Sequence, residues 1–243
     1  MSAPVSRALR ARRSVRHYTA NHVARELIAD VIADAAWAPS GGDDQPWGVV
    51  AVAPPKAREL RERYEARAWH ALAPKMASVV ERQLGAGQPA DVLVERVLAK
   101  LVSEARSTGA PWLLFVHGPS RVEDEAARLR TFHRALASRV PAAELPSHEE
   151  LTAMCGPVHA GVVAASIAGF AYALTLAAHA RGLGSCIQHH WLVWRDSLAA
   201  ELELPAGRTL ASAVIVGESD GSSAALLRAA ERAARRPVDV SFK

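Results

Sequence analysis

The chain has 243 residues, half of them hydrophobic and 22% charged, enough for one large domain or two small ones around a sizeable core. Its net charge of +4 is local: Arg7, Arg10, Arg12, Arg13 and Arg16 fall in the first 20 residues with no acid, leaving −1 on the rest. Basicity confined this way, without interleaved aromatics, argues against a nucleic-acid binder. Two cysteines without CxxC spacing, Cys155 and Cys186, argue against a disulfide framework or a metal site and fit a reducing cytosol.

Residues 4–13 read as a short helix leading into the basic stretch RRSVRHY. An arginine-rich, acid-free start also fits a mitochondrial transit peptide, but the run continues into patterned sequence with no cleavable spacer, so a functional role is preferred. Val23, Leu27, Ile28, Val31, Ile32 and Ala35 then recur with the period of an amphipathic helix, which Pro39 ends in the loop Ser40, Gly41, Gly42. WGVVAVA (47–53) reads as a buried strand between Pro46 and Pro54. Residues 57–107 form a charged, helix-prone excursion broken at Pro74 and at GAGQP; PWLLFVHG (111–118) is the next strand, and a charged helix follows around 121–139.

From Leu151 to Ala180 there is no Asp, Glu, Lys or Arg, which by length alone permits a membrane span. The segment carries His159, Ser166, Tyr172, Thr175 and His179, and a stripe of small residues (Gly161, Ala165, Gly169, Ala173, Ala177) along one helix face. A buried helix at the centre of a core, at a subunit interface, is the preferred reading, with no membrane. RGLGSCIQ turns the chain, Trp194–Leu202 makes a short helix, and TLASAVIVG (209–217) supplies a further buried strand before a tail marked by ARRPVDV. Strands and helices mix without regular βαβ alternation, so the expectation is one α+β domain over 1–243.

Four stretches, in order and correctly spaced, resemble the nitroreductase family of FMN-dependent flavoproteins: RRSVRHY (12–18), APSGGDDQPW (38–47), AAHARGLGSCIQHHW (177–191), and VIVGESD (214–220) with ARRPVDV (234–240). The resemblance covers the whole length except roughly residues 57–107. It implies a central mixed β-sheet flanked by helices, and an intertwined homodimer with two FMN sites, each built from both chains.

On this resemblance Arg12, Arg13 and Ser14 meet the FMN phosphate with charge-assisted hydrogen bonds, and Arg16 reaches the flavin's pyrimidine edge, where a cation stabilises developing negative charge. One or more of these arginines can equally be solvated surface charge. Arg235 and Arg236 would close the phosphate site from the tail, one of them only, since consecutive side chains in an extended segment point opposite ways. Pro39, Ser40 and Gly41 would lie against the ring, with Gln45 through Trp47 locking the loop to the next strand. Where the family usually has Ser-x-Asn, this chain has Gly41, Gly42 and Asp43. Two placements stay open for Asp43: against the ring, accepting N3–H, or toward solvent, capping a turn. Gly182, Leu183, Gly184 and the run Cys186, Ile187, Gln188, His189 would pass near flavin N5.

Adjacent His189 and His190 do not make a metal site, and no GxGxxG follows a strand, so no separate nucleotide domain is expected. The resemblance implies ping-pong transfer from NADPH or NADH to a nitroaromatic, quinone-like or other conjugated acceptor in the cytoplasm. The chemistry is the cofactor's, with no protein nucleophile. Alternatives are a biosynthetic flavin oxidase or dehydrogenase, and a non-catalytic FMN-sequestering protein. Trp69 or Phe132, with the 57–107 excursion, would wall the acceptor cleft.

Overall fold

The computed structural model describes residues 4–65, 67, 68, 71, 107–120, 131, 133–135, 137–141, 144, 145 and 147–221. Four strands, β1 (Gly48–Val52), β2 (Trp112–Pro119), β3 (Gly184–Ile187) and β4 (Arg208–Gly217), form one sheet in the order β1-β2-β4-β3. Every pair in it is antiparallel, with Val50 opposite Phe115, Phe115 opposite Ala213 and Cys186 opposite Ile215. Among the described residues, the mixed character expected from the sequence enters at isolated bridges, where Ser14 runs parallel to Ser185 and His17 to Thr108. Too few residues pair there to make a further strand, although Val15 N–H donates to the Ser185 carbonyl at 2.9 Å.

β2 and β4 lie in the middle of the sheet and are covered on both faces, which is why both read as near-continuous apolar runs. Alternation along β2 divides the core. Trp112, Leu114 and Val116 face α2 (Arg25–Ala35) and the long helix that follows the described part of the charged region. Leu113 and Phe115 face the other side, with Ala57 and Leu60 of α3 (Pro54–Leu60). α3 opens with two prolines, where the missing N–H groups cost nothing, and runs on into a π-helical turn, Arg61–Glu65.

The long helix, α4 (His148–Ala180), begins three residues before the uncharged segment. A capping box sets its start: Ser147 Oγ accepts from Glu150 N–H at 3.1 Å, and the Glu150 carboxylate accepts from Ser147 N–H at 2.7 Å. Gly156–Ala180 is long and apolar enough to cross a membrane by length and composition. In the fold, its Ile167, Phe170, Ala171, Leu174 and Ala178 are buried against the sheet and α2, so it is the core helix of the domain. It ends at Gly182, whose positive φ of 74° lets the last carbonyls, those of His179 and Ala178, accept from Gly182 and Leu183 N–H. A 3-10 turn (His190–Trp194) and α5 (Arg195–Glu201) then pack over the opposite sheet face, where Trp191 meets Phe115 edge-on at 5.5 Å. The short helix expected over Trp194–Leu202 is α5, with Trp194 and Leu202 as its two caps. α1 (Pro4–Ala11) precedes the basic stretch as expected.

Leu174 is fully buried between α4 and the sheet. Leu174→Ala is expected to lower unfolding free energy by about 3 kcal/mol, read from denaturant midpoints at unchanged slope.

Candidate functional site

The basic stretch divides its arginines between structure and site. Arg13 turns back onto the end of α1, donating to the carbonyls of Arg10, Ala11 and Arg12 at 2.5, 2.9 and 2.8 Å. A cation there complements the helix dipole. Arg12 instead lies over the ring of Tyr172 on α4, its guanidinium carbon 5.5 Å from the centroid. Its Nε is buried and has no hydrogen-bond acceptor among the described residues, and an unmet cationic donor is costly unless an anion supplies one. Ser14 pairs with Ser185 in a parallel bridge, which sets it beside Cys186 at the start of β3. Arg16 holds the neighbouring segment through its carbonyl, which accepts from Thr108 N–H at 3.0 Å. Its positive charge is felt at both Cys186 and His190, which places it beside the junction of β3 and the 3-10 turn. Burial pushes the Cys186 thiol above its usual range, which keeps it protonated and unreactive.

The second half is the loop between α2 and β1. Gly42, Asp43 and Gln45 all have positive φ, at 61°, 55° and 44°. Gly41 sits on α4 so closely that a Cβ there would lie 2.2 Å from Val162 Cγ1. That contact explains the glycine where the family pattern carries serine. Gly41 N–H donates to Ser166 Oγ at 3.3 Å, and Gln45 N–H to Ser40 Oγ at 3.0 Å. Pro39 and Asp43 are exposed. Asp43 accepts from the Gln45 amide at 2.9 Å, so its carboxylate is engaged within the loop, at the solvent side. Trp47 stacks on Phe170 at 4.9 Å and 8°, locking the loop's end to α4.

The third part follows Gly184, where a Cβ would collide with Val15 at 2.8 Å. Gln188 is buried and both ends of its amide are taken: it donates to Ser107 Oγ at 3.2 Å and accepts from Trp191 Nε1–H at 2.9 Å. His189 is exposed and borders a cavity of about 460 Å³ lined also by Ala164, Ile167, Ala171, Ile187 and Leu192, a size suited to a small-molecule ligand. His190 is buried, its Nε2 3.8 Å from the Glu65 carboxylate. Glu65 accepts from Ser107 N–H at 3.0 Å and Oγ–H at 3.1 Å, and Arg61 donates to the Ser107 and Gly109 carbonyls at 2.9 and 2.7 Å. Sequence reasoning missed this cluster, because its members meet only in the fold.

Both main halves are anchored on α4. The loop touches α4 at Val162 and Ser166, and Arg12 touches it at Tyr172. From Ser166, the nearer loop contact, to Tyr172 is six residues, roughly 9 Å of helix, and from Val162 it is ten, roughly 15 Å. Between and around these points α4 leaves Val158, Val162 and Tyr172 exposed, and α1 adds Val5 and Leu9. Arg235, Arg236, Trp69 and Phe132 lie outside the described residues.

The sequence matches the profile of the Nitroreductase family over residues 9–218. No curated protein matches it. Among solved structures it is similar to an FMN and NADPH-dependent nitroreductase, NfnB, from Sphigopyxis sp. strain HMH, with 21% identity, 99% of each chain covered and a TM-score of 0.60. A nitroreductase with bound FMN from Desulfitobacterium hafniense DCB-2 aligns at 16% identity over 100% of this chain and 96% of that one, TM-score 0.57. A BluB-like flavoprotein from Clostridium difficile 630 aligns at 19% identity over 99% and 96%, TM-score 0.57.

Burial, reinforced by the charges of Arg16 and His189, lowers the pKa of His190 from 6.5 to about 4 despite the nearby Glu65. The unfolded chain therefore binds a proton below pH 6.5 that the folded chain refuses until about pH 4, so this histidine's contribution to stability is complete above 6.5 and declines on acidification. Denaturant titrations across that window are expected to show a steeper loss in the wild type than in His190→Gln.

Proposed function

Because the chain belongs to the nitroreductase family, we propose that it is a homodimeric FMN-dependent oxidoreductase that draws hydride from NAD(P)H and delivers it to conjugated acceptors such as nitroaromatics or quinones. The observation that carries this reading is Arg12: a half-buried cation with an unmet Nε donor, beside Ser14, on the segment that matches the family's phosphate-side motif. That donor set fits a phosphate dianion. The exposed apolar face of α4 supports a dimer in which the loop of a second copy completes the site.

FMN bound there would supply hydride acceptance and release. The chain's residues do the rest. Arg12 and Ser14 hold the phosphate, while Arg13 stiffens the segment by capping α1. Arg16 keeps positive charge beside the Gln188–His190 turn, where it would favour negative charge on a ring. Gln188 is a positioning residue: its backbone N–H is tied to the Ala213 carbonyl at 2.7 Å and its amide to Ser107 and Trp191, so the turn that would approach the ring is fixed. Pro39, Ser40 and Gly41 present backbone to the partner's site, and the apolar cavity beside His189 would take reductant and acceptor in turn. Asp43, engaged by Gln45, lends nothing to a sequestering role.

The test is FMN binding followed by anaerobic titration of the loaded protein with NADPH and NADH, NADPH first because NfnB is described as NADPH-dependent. Bleaching by a nicotinamide and recovery with a quinone or nitroaromatic are expected; a protein that refuses FMN, or whose flavin neither nicotinamide bleaches, contradicts the reading. Arg12→Ala is expected to weaken FMN binding on the order of tenfold or more, the loss of one charged hydrogen bond.

A further inference from the structure

The loop between α2 and β1 carries three residues in the left-handed region, two of them not glycine. For the two non-glycine residues such a backbone is strained and persists only where its surroundings over-determine it. Its C-terminal anchor is a polar one. The register of β2 against β4 slips between Val116 and His117, so that His117 pairs with Leu210 and Ala211 is the extra residue. On the other side His117 pairs with Gly48, the first residue of β1, and its ring lies so close that a Cβ at Gly48 would be 2.2 Å from Cε1.

Arg208, the first residue of β4, closes the arrangement. Its Nε donates to His117 Nδ1 at 3.1 Å and its Nη2 to the buried Pro46 carbonyl at 2.7 Å, with a longer contact to the His117 carbonyl at 3.4 Å. A guanidinium only donates, so His117 must present Nδ1 as an acceptor and carry its proton, when neutral, on Nε2. We propose that Arg208 is a positioning residue: by bridging the Pro46 carbonyl and His117 it latches the 39–47 loop into its strained shape, and thereby sets the affinity of the loop for a flavin ring. The flavin part rests on the proposed function; the latch itself does not.

Burial and the Arg208 charge both lower the pKa of His117. Arg208 is the charged side chain facing it among the described residues. Protonation would remove the Nδ1 acceptor and set two cations together, so the latch holds at neutral pH and loosens on acidification.

Amide hydrogen exchange of residues 40–47 in flavin-free protein, read beside exchange of β2, tests the latch directly. Arg208→Met is expected to speed exchange in the loop about tenfold with β2 little changed, and Arg208→Lys, which keeps one donor, to recover part of the protection. Acidification is expected to speed loop exchange beyond its intrinsic pH dependence in the wild type. In His117→Asn, whose amide oxygen replaces Nδ1 without titrating, that excess should vanish. Unchanged loop exchange in Arg208→Met, or a rise spread equally over β2 and the loop, overturns the latch. FMN titration separates the two claims. Weaker binding by Arg208→Met, with partial rescue by Arg208→Lys, is expected, whereas loosened exchange with unaltered FMN affinity overturns the link to flavin. A wild type that binds no FMN sinks the functional reading while the exchange result still judges the latch.

Discussion

Burial of α4 on the sheet is the constraint on which the other parts depend. Thirty uncharged residues between Leu151 and Ala180 need an apolar partner, and β2, β4 and α2 supply one for the stripe through Ile167, Phe170, Leu174 and Ala178. Once that stripe is fixed, the helix becomes a ruler for the candidate site. The loop of Gly41 rests near its middle and Arg12 stacks on its C-terminal half, so the distance between the two halves is set by helical rise and not by any loop.

Polar groups are distributed in keeping with that frame. The buried cluster of Arg61, Glu65, Ser107, Gln188 and His190 ties the π-helical turn after α3, the Ser107–Gly109 segment and the turn after β3 into one unit. Low dielectric makes each of those hydrogen bonds expensive to lose, which rigidifies the turn beside Arg16. The basic stretch follows the same economy. Arg13 is spent on a helix end, while Arg12 is held by a ring and a backbone that leave its Nε unmet. Unmet donors in a native fold point to a ligand more directly than charge alone, since exposed arginines need no partner.

Much of this was legible in the sequence. Period and punctuation placed α2, β1, β2, α4 and β4 within a few residues, because each is either a clean amphipathic repeat or a short apolar run between breakers. The start of α4 was not reached: the uncharged run begins at Leu151, whereas the capping box of Ser147 and Glu150 starts the helix at His148. What local reasoning could not reach were pairings set by tertiary contact: Glu65 with Ser107, 42 positions apart, and Arg208 with His117, 91 apart. Gln188, read as a ring neighbour, has both ends of its amide in the core, and Arg13, read as a phosphate ligand, caps a helix. Those side-chain partners are set by tertiary geometry that residue type alone does not carry.

On the proposed reading, one flavin site needs the basic segment of one protomer and the loop of the other. Complementation tests it most directly: Arg12→Ala and a loop variant, Gly41→Val, whose side chain collides with Val162, are prepared separately, mixed under conditions that exchange subunits, and assayed for bound FMN. The account expects neither homodimer to hold FMN well and the mixture to recover about one quarter of the wild-type sites, one intact site in each heterodimer. Verified subunit exchange with no recovery would contradict it.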